Sequence, residues 1–144
     1  MFDKNIDDRL SSWAEFRRHL ETAQMPFEAV TDFWRTAPFV PYNNKLDPFN
    51  KRSWPSPWEI LVDNKYDDFT KAVMMAYSIK LTNRFKNSSI NIKTVVDKQR
   101  SVNYNLVCVD DEWVLNYQEH GPIAAIKVPD YFFIENLVEL STTR

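Results

Sequence analysis

The sequence predicts one α+β domain, in which N-terminal helices and a central helix pack on a mainly antiparallel sheet of about four strands. In residues 1–37 and 58–83 the apolar side chains recur every three or four positions, as on one face of a helix. In residues 90–128 they alternate with polar side chains, as in half-buried strands. Helices followed by a meander of strands are typical of the α+β class, and 144 residues suit a single domain.

The N-terminal part, residues 1–37, predicts two helices. Asp7 and Asp8 precede the first apolar stripe, where carboxylates favour the positive end of a helix. Pro26 stops this helix and fits the first turn of the next one, which Pro38 ends. The two apolar stripes are formed by Leu10, Trp13, Phe16, Leu20 and by Phe27, Val30, Phe33, Trp34.

Residues 38–57 form a segment rich in proline and aromatic side chains, which we interpret as a long ordered loop. The region 58–83 then predicts a short helical turn and the central helix. We expect Asp63 or Asn64 to cap that helix.

Four segments of the second half alternate as strands do, at 90–96, 102–109, 112–117 and 123–128. Asp110 and Asp111 predict a hairpin turn between the second and third of them. Residues 129–144 contain an amphipathic segment that we interpret as a C-terminal helix. No internal repeat and no second domain are indicated.

The composition excludes several classes of function. A single glycine argues against phosphate-binding loops, which need several, so P-loop and Rossmann proteins are excluded. A net charge of −2 predicts no nucleic-acid partner, and the lack of a long apolar run predicts no membrane span. One cysteine suits a reducing compartment. We therefore expect a soluble cytoplasmic protein without a cofactor.

Two segments carry a resemblance to a known family. Residues 54–61 read Trp-Pro-Ser-Pro-Trp-Glu-Ile-Leu, and residues 63–69 read Asp-Asn-Lys-Tyr-Asp-Asp-Phe at the start of the central helix. Residues 105–117 run from Asn-Leu-Val-Cys-Val through a turn to Trp-Val-Leu-Asn-Tyr. This order resembles the core of transglutaminase-like domains of the papain-like cysteine hydrolase superfamily, in which a nucleophile helix packs on an antiparallel sheet.

The resemblance covers residues 53–117 and implies a fold without the usual chemistry. Tyr66 stands at the position of the catalytic cysteine, Asn105 or Tyr104 at that of the histidine, and Asn116 at that of the aspartate. Thiolate catalysis needs a nucleophile of low pKa, a base and a group that orients the base. We therefore expect three vacated positions, no catalytic residue and a degenerate, non-enzymatic domain.

Other candidates for chemistry are weaker. Cys108 lies in mid-strand between valines, which predicts a buried structural side chain. His19 and His120 are far apart in the sequence and too few for a metal site. The acidic pair Asp67 and Asp68 suits the start of a helix better than acid–base catalysis, because adjacent side chains on a helix diverge.

The aromatic side chains around the long loop are the best candidate for a binding surface: Phe39, Tyr42, Phe49, Trp54 and Trp58. Binding hot spots favour such residues, but the same rings could instead cover the core.

The sequence thus predicts a non-catalytic interaction or assembly protein. Its composition, rich in asparagine, lysine and aromatic residues and poor in glycine, resembles that of small proteins from tailed bacteriophages. This resemblance implies a virion or assembly protein as partner and a location in the host cytoplasm or the virion. A homo-oligomer stays open. The alternatives are a cysteine-type hydrolase or transferase with displaced active residues, and a pseudoenzyme that binds a small molecule in the vacated cleft.

Overall fold

A computed structural model describes residues 1–118 and 121–140. Within these ranges the chain has four α-helices and one five-stranded antiparallel sheet, which confirms the α+β class and adds a strand to the predicted four. The helices are α1 (Ile6–Leu20), α2 (Pro26–Trp34), α3 (Pro57–Asp63) and α4 (Asp68–Lys80). The strands are β1 (Ile90–Asp97), β2 (Val102–Val109), β3 (Trp113–Gln118), β4 (Gly121–Ala124) and β5 (Phe133–Leu140). Short 3₁₀ turns occupy Lys51–Ser53 and Ala125–Lys127.

The strands lie in the order β4-β3-β2-β1-β5, so the last strand of the chain returns to pair with the first. Asp110 and Asp111 both take positive φ, and the N–H of Glu112 donates to the carbonyl of Val109 at 3.0 Å, which is a type I′ hairpin turn as the sequence predicted. Strands β1 and β5 pair antiparallel, with a register shift between Thr94 and Val95.

Helix α4 forms the centre of the domain, and eleven of its side chains are buried. Ser78 lies in the last turn of the helix and is fully buried. Its hydroxyl accepts hydrogen bonds from the indole N–H groups of Trp13 at 2.9 Å and Trp34 at 3.0 Å, and donates to the carbonyl of Met74 at 2.7 Å. One hydroxyl therefore joins α1 and α2 to α4.

The sheet has an apolar layer on each face. One face contributes Ile92, Val107 and Leu115 to the large core that it shares with the helices. The other face carries a smaller cluster, which we call the outer cluster, formed by Val95, Leu106, Cys108, Val114 and Phe132. Because strand side chains alternate between the faces, the helices cover only the first of these layers.

Three sequence predictions need correction. The segment predicted as a C-terminal helix contains strand β5, which ends at Leu140. Its buried side chains, Val138 and Leu140, alternate as in a strand and pair with β1. Strand β4 is shorter than predicted, because a 3₁₀ turn begins at Ala125.

The third correction concerns the caps. Asn64 ends α3 in the left-handed conformation, with φ 56°, so it is not available to start α4. The cap of α4 is Asp67, whose side chain accepts from the N–H of Thr70 at 2.7 Å. Asp63 lies at the end of α3 and forms an ion pair with Lys45.

Candidate functional site

The predicted aromatic surface separates into exposed and buried side chains. Tyr42 is 76% exposed, Phe49 74% and Phe39 64%, whereas Trp58 is 43% exposed on α3. Trp54 is only 6% exposed, and its ring packs edge-on against Phe69 of α4. Three of the five rings are therefore exposed on the loop and Trp58 is exposed on α3, whereas Trp54 belongs to the core. Binding at this surface stays a prediction.

The loop that carries the exposed rings is held to the domain at several points. Asn43 is buried, its backbone N–H donates to the Oδ2 of Asp67 at 2.9 Å, and its side-chain amide donates to the carbonyl of Lys65 at 3.1 Å. Leu46 is buried as well, and the indole N–H of Trp54 donates to the carbonyl of Asp47 at 2.6 Å. The exposed rings therefore stand on a loop of fixed conformation.

The start of this loop also pairs with the backbone before α4. The N–H of Tyr66 donates to the carbonyl of Pro38 at 3.0 Å, and the N–H of Val40 donates to the carbonyl of Tyr66 at 3.1 Å. These bonds form an isolated parallel bridge at Phe39 and Tyr66. Phe39 is thus placed by backbone hydrogen bonds while its ring stays outside.

Tyr66, the residue at the expected nucleophile position, is fully buried. Its ring packs against Phe2 at 5.6 Å and Trp34 at 5.5 Å between ring centroids. Its hydroxyl has no hydrogen-bond partner among the described residues, and burial raises its pKa well above the ordinary value. A phenol in this setting stays neutral and fills space.

The other two vacated positions, Asn105 and Asn116, lie next to each other on β2 and β3. The side-chain amide of Asn116 donates to the carbonyl of Asn105 at 2.7 Å and accepts from the N–H of Val107 at 2.9 Å. Asn105 accepts from the hydroxyl of Thr94 at 2.9 Å. None of these described bonds involves Tyr66, so no described hydrogen bond joins the three positions.

The side chain of Asn116 bridges β2 and β3 where their backbone pairing ends. Among the described residues, backbone pairing between β2 and β3 joins Cys108 with Val114 and Val109 with Trp113. Beyond these pairs the amide of Asn116 takes the place of a peptide group, since it offers the N–H and the C=O that the ladder would need. The pairing of β3 with β4 is also irregular here, and such irregularities re-aim side chains.

A cleft of about 480 Å³ opens at this gap, between α2, α4 and the strands β2 and β3. We call it the strand-gap cleft. Its charged side chains are Arg35, at the end of α2, and Lys71, on the first turns of α4. Tyr104, Tyr117 and Asn116 line the sheet side, and no acidic residue is among the described residues that line it.

Cys108 lies on the other face of the sheet, in the outer cluster. It is buried, as the sequence predicted, and burial raises the pKa of its thiol to about 11. Its thiol donates to the carbonyl of Leu106 at 3.7 Å. A thiol of this kind is a poor nucleophile near neutral pH.

A groove of about 640 Å³ lies over this part of the outer cluster. Its floor is apolar and includes Val95 and Leu106, while the charged side chains beside it are of both signs, Lys93 with Asp111 and Lys127 with Asp130. Because charges of both signs lie beside the groove, they favour neither an anionic nor a cationic ligand.

Metal and membrane sites are not indicated by the described part of the chain. No group of three His, Cys, Asp or Glu side chains there could hold a metal ion. His19 is exposed in the last turn of α1, and His120 lies outside the described residues. Among the helices of residues 1–118 and 121–140, none combines the length and apolar character that a membrane crossing requires.

Comparison with protein-family models, with curated proteins and with solved structures found no significant match. The transglutaminase-like resemblance and the bacteriophage style therefore stay predictions.

The sequence reasoning missed the two cations of the strand-gap cleft, Arg35 and Lys71. They lie on different helices, so no local spacing connects them. A signal was present in Tyr104 and Tyr117, which flank the Asp110–Asp111 hairpin at similar distances in sequence and so had to lie close together on neighbouring strands.

Proposed function

We propose that this chain is a non-catalytic protein-binding domain whose binding surface is the aromatic loop, residues 38–57. The observation that carries the proposal is the exposure of Phe39, Tyr42 and Phe49 on a loop that is otherwise fastened to the core. Water is an unfavourable environment for so much aromatic surface, and a partner would remove it from water.

The fixed conformation of the loop makes it a good binding surface. Association costs less when side chains are already held in place, because less conformational freedom is lost. Here Asn43 and Leu46 anchor the middle of the loop, and Trp54 anchors its end. Tyr and Trp are also enriched among the residues that dominate binding energy.

Two features support the non-catalytic part of the proposal. Tyr66 packs into an aromatic cluster and its hydroxyl has no hydrogen-bond partner in the described part of the chain, while Asn116 bridges β2 and β3. Cys108 keeps its proton and faces the opposite side of the sheet from the helices. These contacts are structural, and they leave the transglutaminase-like arrangement without a nucleophile–base pair.

We infer that the partner is a protein of an assembly, and we propose a component of a bacteriophage particle as its class. The support is the aromatic loop together with the bacteriophage style of the sequence. The aromatic surface predicts specific contact with a folded surface.

The test compares three forms of the protein in affinity purification from the cells that make it. The first is wild type, the second is Phe39→Ala/Tyr42→Ala/Phe49→Ala, and the third is Trp113→Ala/Tyr131→Ala, which removes exposed rings elsewhere. All three should unfold at similar denaturant concentrations, since the changed side chains are exposed.

We expect a protein partner to be retained by wild type and by the Trp113/Tyr131 variant, and lost from the loop variant. Sedimentation of the purified protein distinguishes self-association from binding to another protein. A partner held equally by all three forms, or no partner and a monomer in every case, contradicts the proposal.

A further inference from the structure

The strand-gap cleft has the chemistry of a site for a small organic anion. Arg35 and Lys71 approach it from two helices, and the phenol rings of Tyr104 and Tyr117 line its sheet side. About 480 Å³ is within the range of small-molecule sites. This cleft is formed by other residues than the aromatic loop, so it is a second surface of the domain.

Lys71 is the central observation. It is half-buried on α4, and its ammonium makes no hydrogen bond or ion pair with the described residues. A lysine can bury its aliphatic stem against the protein while its charged head stays free. The ammonium of Lys71 is therefore available to an anion in the cleft.

Arg35 supplies the second positive charge. It forms an ion pair of 2.7 Å with Asp32 on the same helix, and both side chains are more than half exposed. That contact uses only part of a guanidinium with five N–H donors, so the remaining donors are available to an oxyanion. An exposed pair of this kind is weak and can rearrange on binding.

Tyr104 and Tyr117 supply aromatic surface for the rest of the ligand. Their ring centroids are 5.1 Å apart at an interplanar angle of 65°, and both rings also pack on Phe132. Phe132, which belongs to the outer cluster, therefore holds the two rings in fixed orientations. An aromatic or planar group of the ligand could pack against them while its oxyanion meets the cations.

The position of Asn116 explains why the cleft is there. Its side chain bridges β2 and β3 at the point where their backbones part, so the space beside it is kept open without loss of hydrogen bonds. A gap made and stabilised in this way is a built feature of the sheet.

We propose that the strand-gap cleft binds a small planar or aromatic molecule that carries an oxyanion, either a carboxylate or a phosphate. Arg35 and Lys71 hold the oxyanion, and Tyr104 and Tyr117 contact the ring.

The test is a titration followed by the backbone amide NMR signals of the full chain. The probes are phenyl phosphate and benzoate as anions, with benzamidine as a cation and benzyl alcohol as a neutral compound of similar shape. We expect the anions to shift the signals of residues 71, 104 and 116, with phenyl phosphate binding more tightly than benzoate because of its greater charge. The cation and the alcohol should shift them little.

The variants separate this site from general attraction of anions. Lys71→Gln should weaken phenyl phosphate binding on the order of tenfold, and Arg35→Gln by a similar factor, as expected for lost charge-assisted hydrogen bonds. Lys127→Gln makes the same change of charge at an exposed residue beside the outer groove and should bind like wild type. The spectrum of each variant shows whether it is folded.

Three outcomes overturn the proposal. They are anion binding that Lys71→Gln leaves unchanged, equal binding of benzyl alcohol and phenyl phosphate, and no shift at these residues with millimolar anion. The loop variant Phe39→Ala/Tyr42→Ala/Phe49→Ala should still bind phenyl phosphate, so the cleft and the aromatic loop succeed or fail separately.

Discussion

Ser78 shows how a single polar side chain can organise an aromatic core. Trp13 and Trp34 are both fully buried, and each indole N–H needs an acceptor that the apolar surroundings do not supply. The one hydroxyl serves both, and its own proton is donated to Met74 one turn earlier. A serine near the end of a helix is unremarkable in the sequence, so this role becomes visible only when three helices are assembled.

We expect Ser78→Ala to lower the free energy of unfolding by about 2 to 4 kcal/mol, because it leaves two buried indole N–H groups without acceptors. Urea denaturation monitored by tryptophan fluorescence measures the loss. Ser11→Ala, at an exposed position of α1, is the matched control and should change stability by less than about 0.5 kcal/mol. A loss at Ser78 no larger than that of the control would show that the two hydrogen bonds are unimportant.

At the level of elements, Asp67 couples the central helix to the aromatic loop. Its Oδ1 caps α4 through the N–H of Thr70 at 2.7 Å and the hydroxyl of the same residue at 2.6 Å. Its Oδ2 accepts from the backbone N–H of Asn43 in the loop at 2.9 Å. One buried carboxylate therefore starts a helix and holds the aromatic loop.

Asp67→Ala should consequently cost more than the loss of a cap alone, which is about 1 kcal/mol, and we expect about 2 to 3 kcal/mol. The loop should also become accessible to trypsin at Lys45, Lys51 or Arg52. Asp68→Ala is the neighbouring control. This exposed carboxylate lies in the first turn of α4, where it interacts favourably with the positive end of the helix dipole, and its removal should cost about 0.5 kcal/mol. Faster cleavage in both variants, or in neither, would contradict a specific link between Asp67 and the loop.

The elements also show where sequence reasoning succeeds and where it ends. Helices α1 and α2 and strands β1 and β2 were predictable. In each, the apolar residues recur with one period over the whole segment, and residues that end a helix or strand follow it. Strand β5 was not, since Phe133, Leu137 and Leu140 also fit a helical stripe. Its strand form depends on pairing with β1, which lies about 40 residues earlier in the chain. The local sequence pattern of residues 133–140 contains no information about that pairing.

The candidate sites differ in the same way. The exposed rings of the aromatic loop were predicted from the composition of the segment. Trp54 was assigned to the same surface, because the sequence of a proline-rich segment does not show which of its rings is buried. The strand-gap cleft depends on α2, α4, β2 and β3 together. Only the assembled structure could bring Arg35 to Lys71.

For the molecule as a whole, a buried weak acid of raised pKa lies in each of the two apolar layers. Tyr66 lies in the large core and Cys108 in the outer cluster, and burial raises the pKa of both. Both groups are neutral at pH 7 in the folded and the unfolded chain, so they do not affect stability there. The difference appears at alkaline pH, where the unfolded chain releases these protons first.

We therefore expect the free energy of unfolding to fall as the pH rises above 9, the ordinary thiol value, towards the folded value of about 11 for Cys108. The thiol alone should account for about 2 kcal/mol at pH 11, because above pH 9 the unfolded state binds fewer protons than the folded state. Tyr66 should add to the loss from about pH 10 upward, since its raised pKa has the same sign. Urea denaturation at pH 8, 9.5 and 10.5 measures the decline.

Cys108→Ala and Tyr66→Phe separate these two contributions from those of the exposed lysines and tyrosines. Each variant should lose less stability between pH 8 and 10.5 than wild type, and the double variant least of all. At pH 8, Tyr66→Phe should be as stable as wild type or slightly more so, because it removes a buried hydroxyl that has no partner among the described residues. If the double variant loses as much stability between pH 8 and 10.5 as wild type does, neither group keeps its proton through burial, and both layers admit water at high pH.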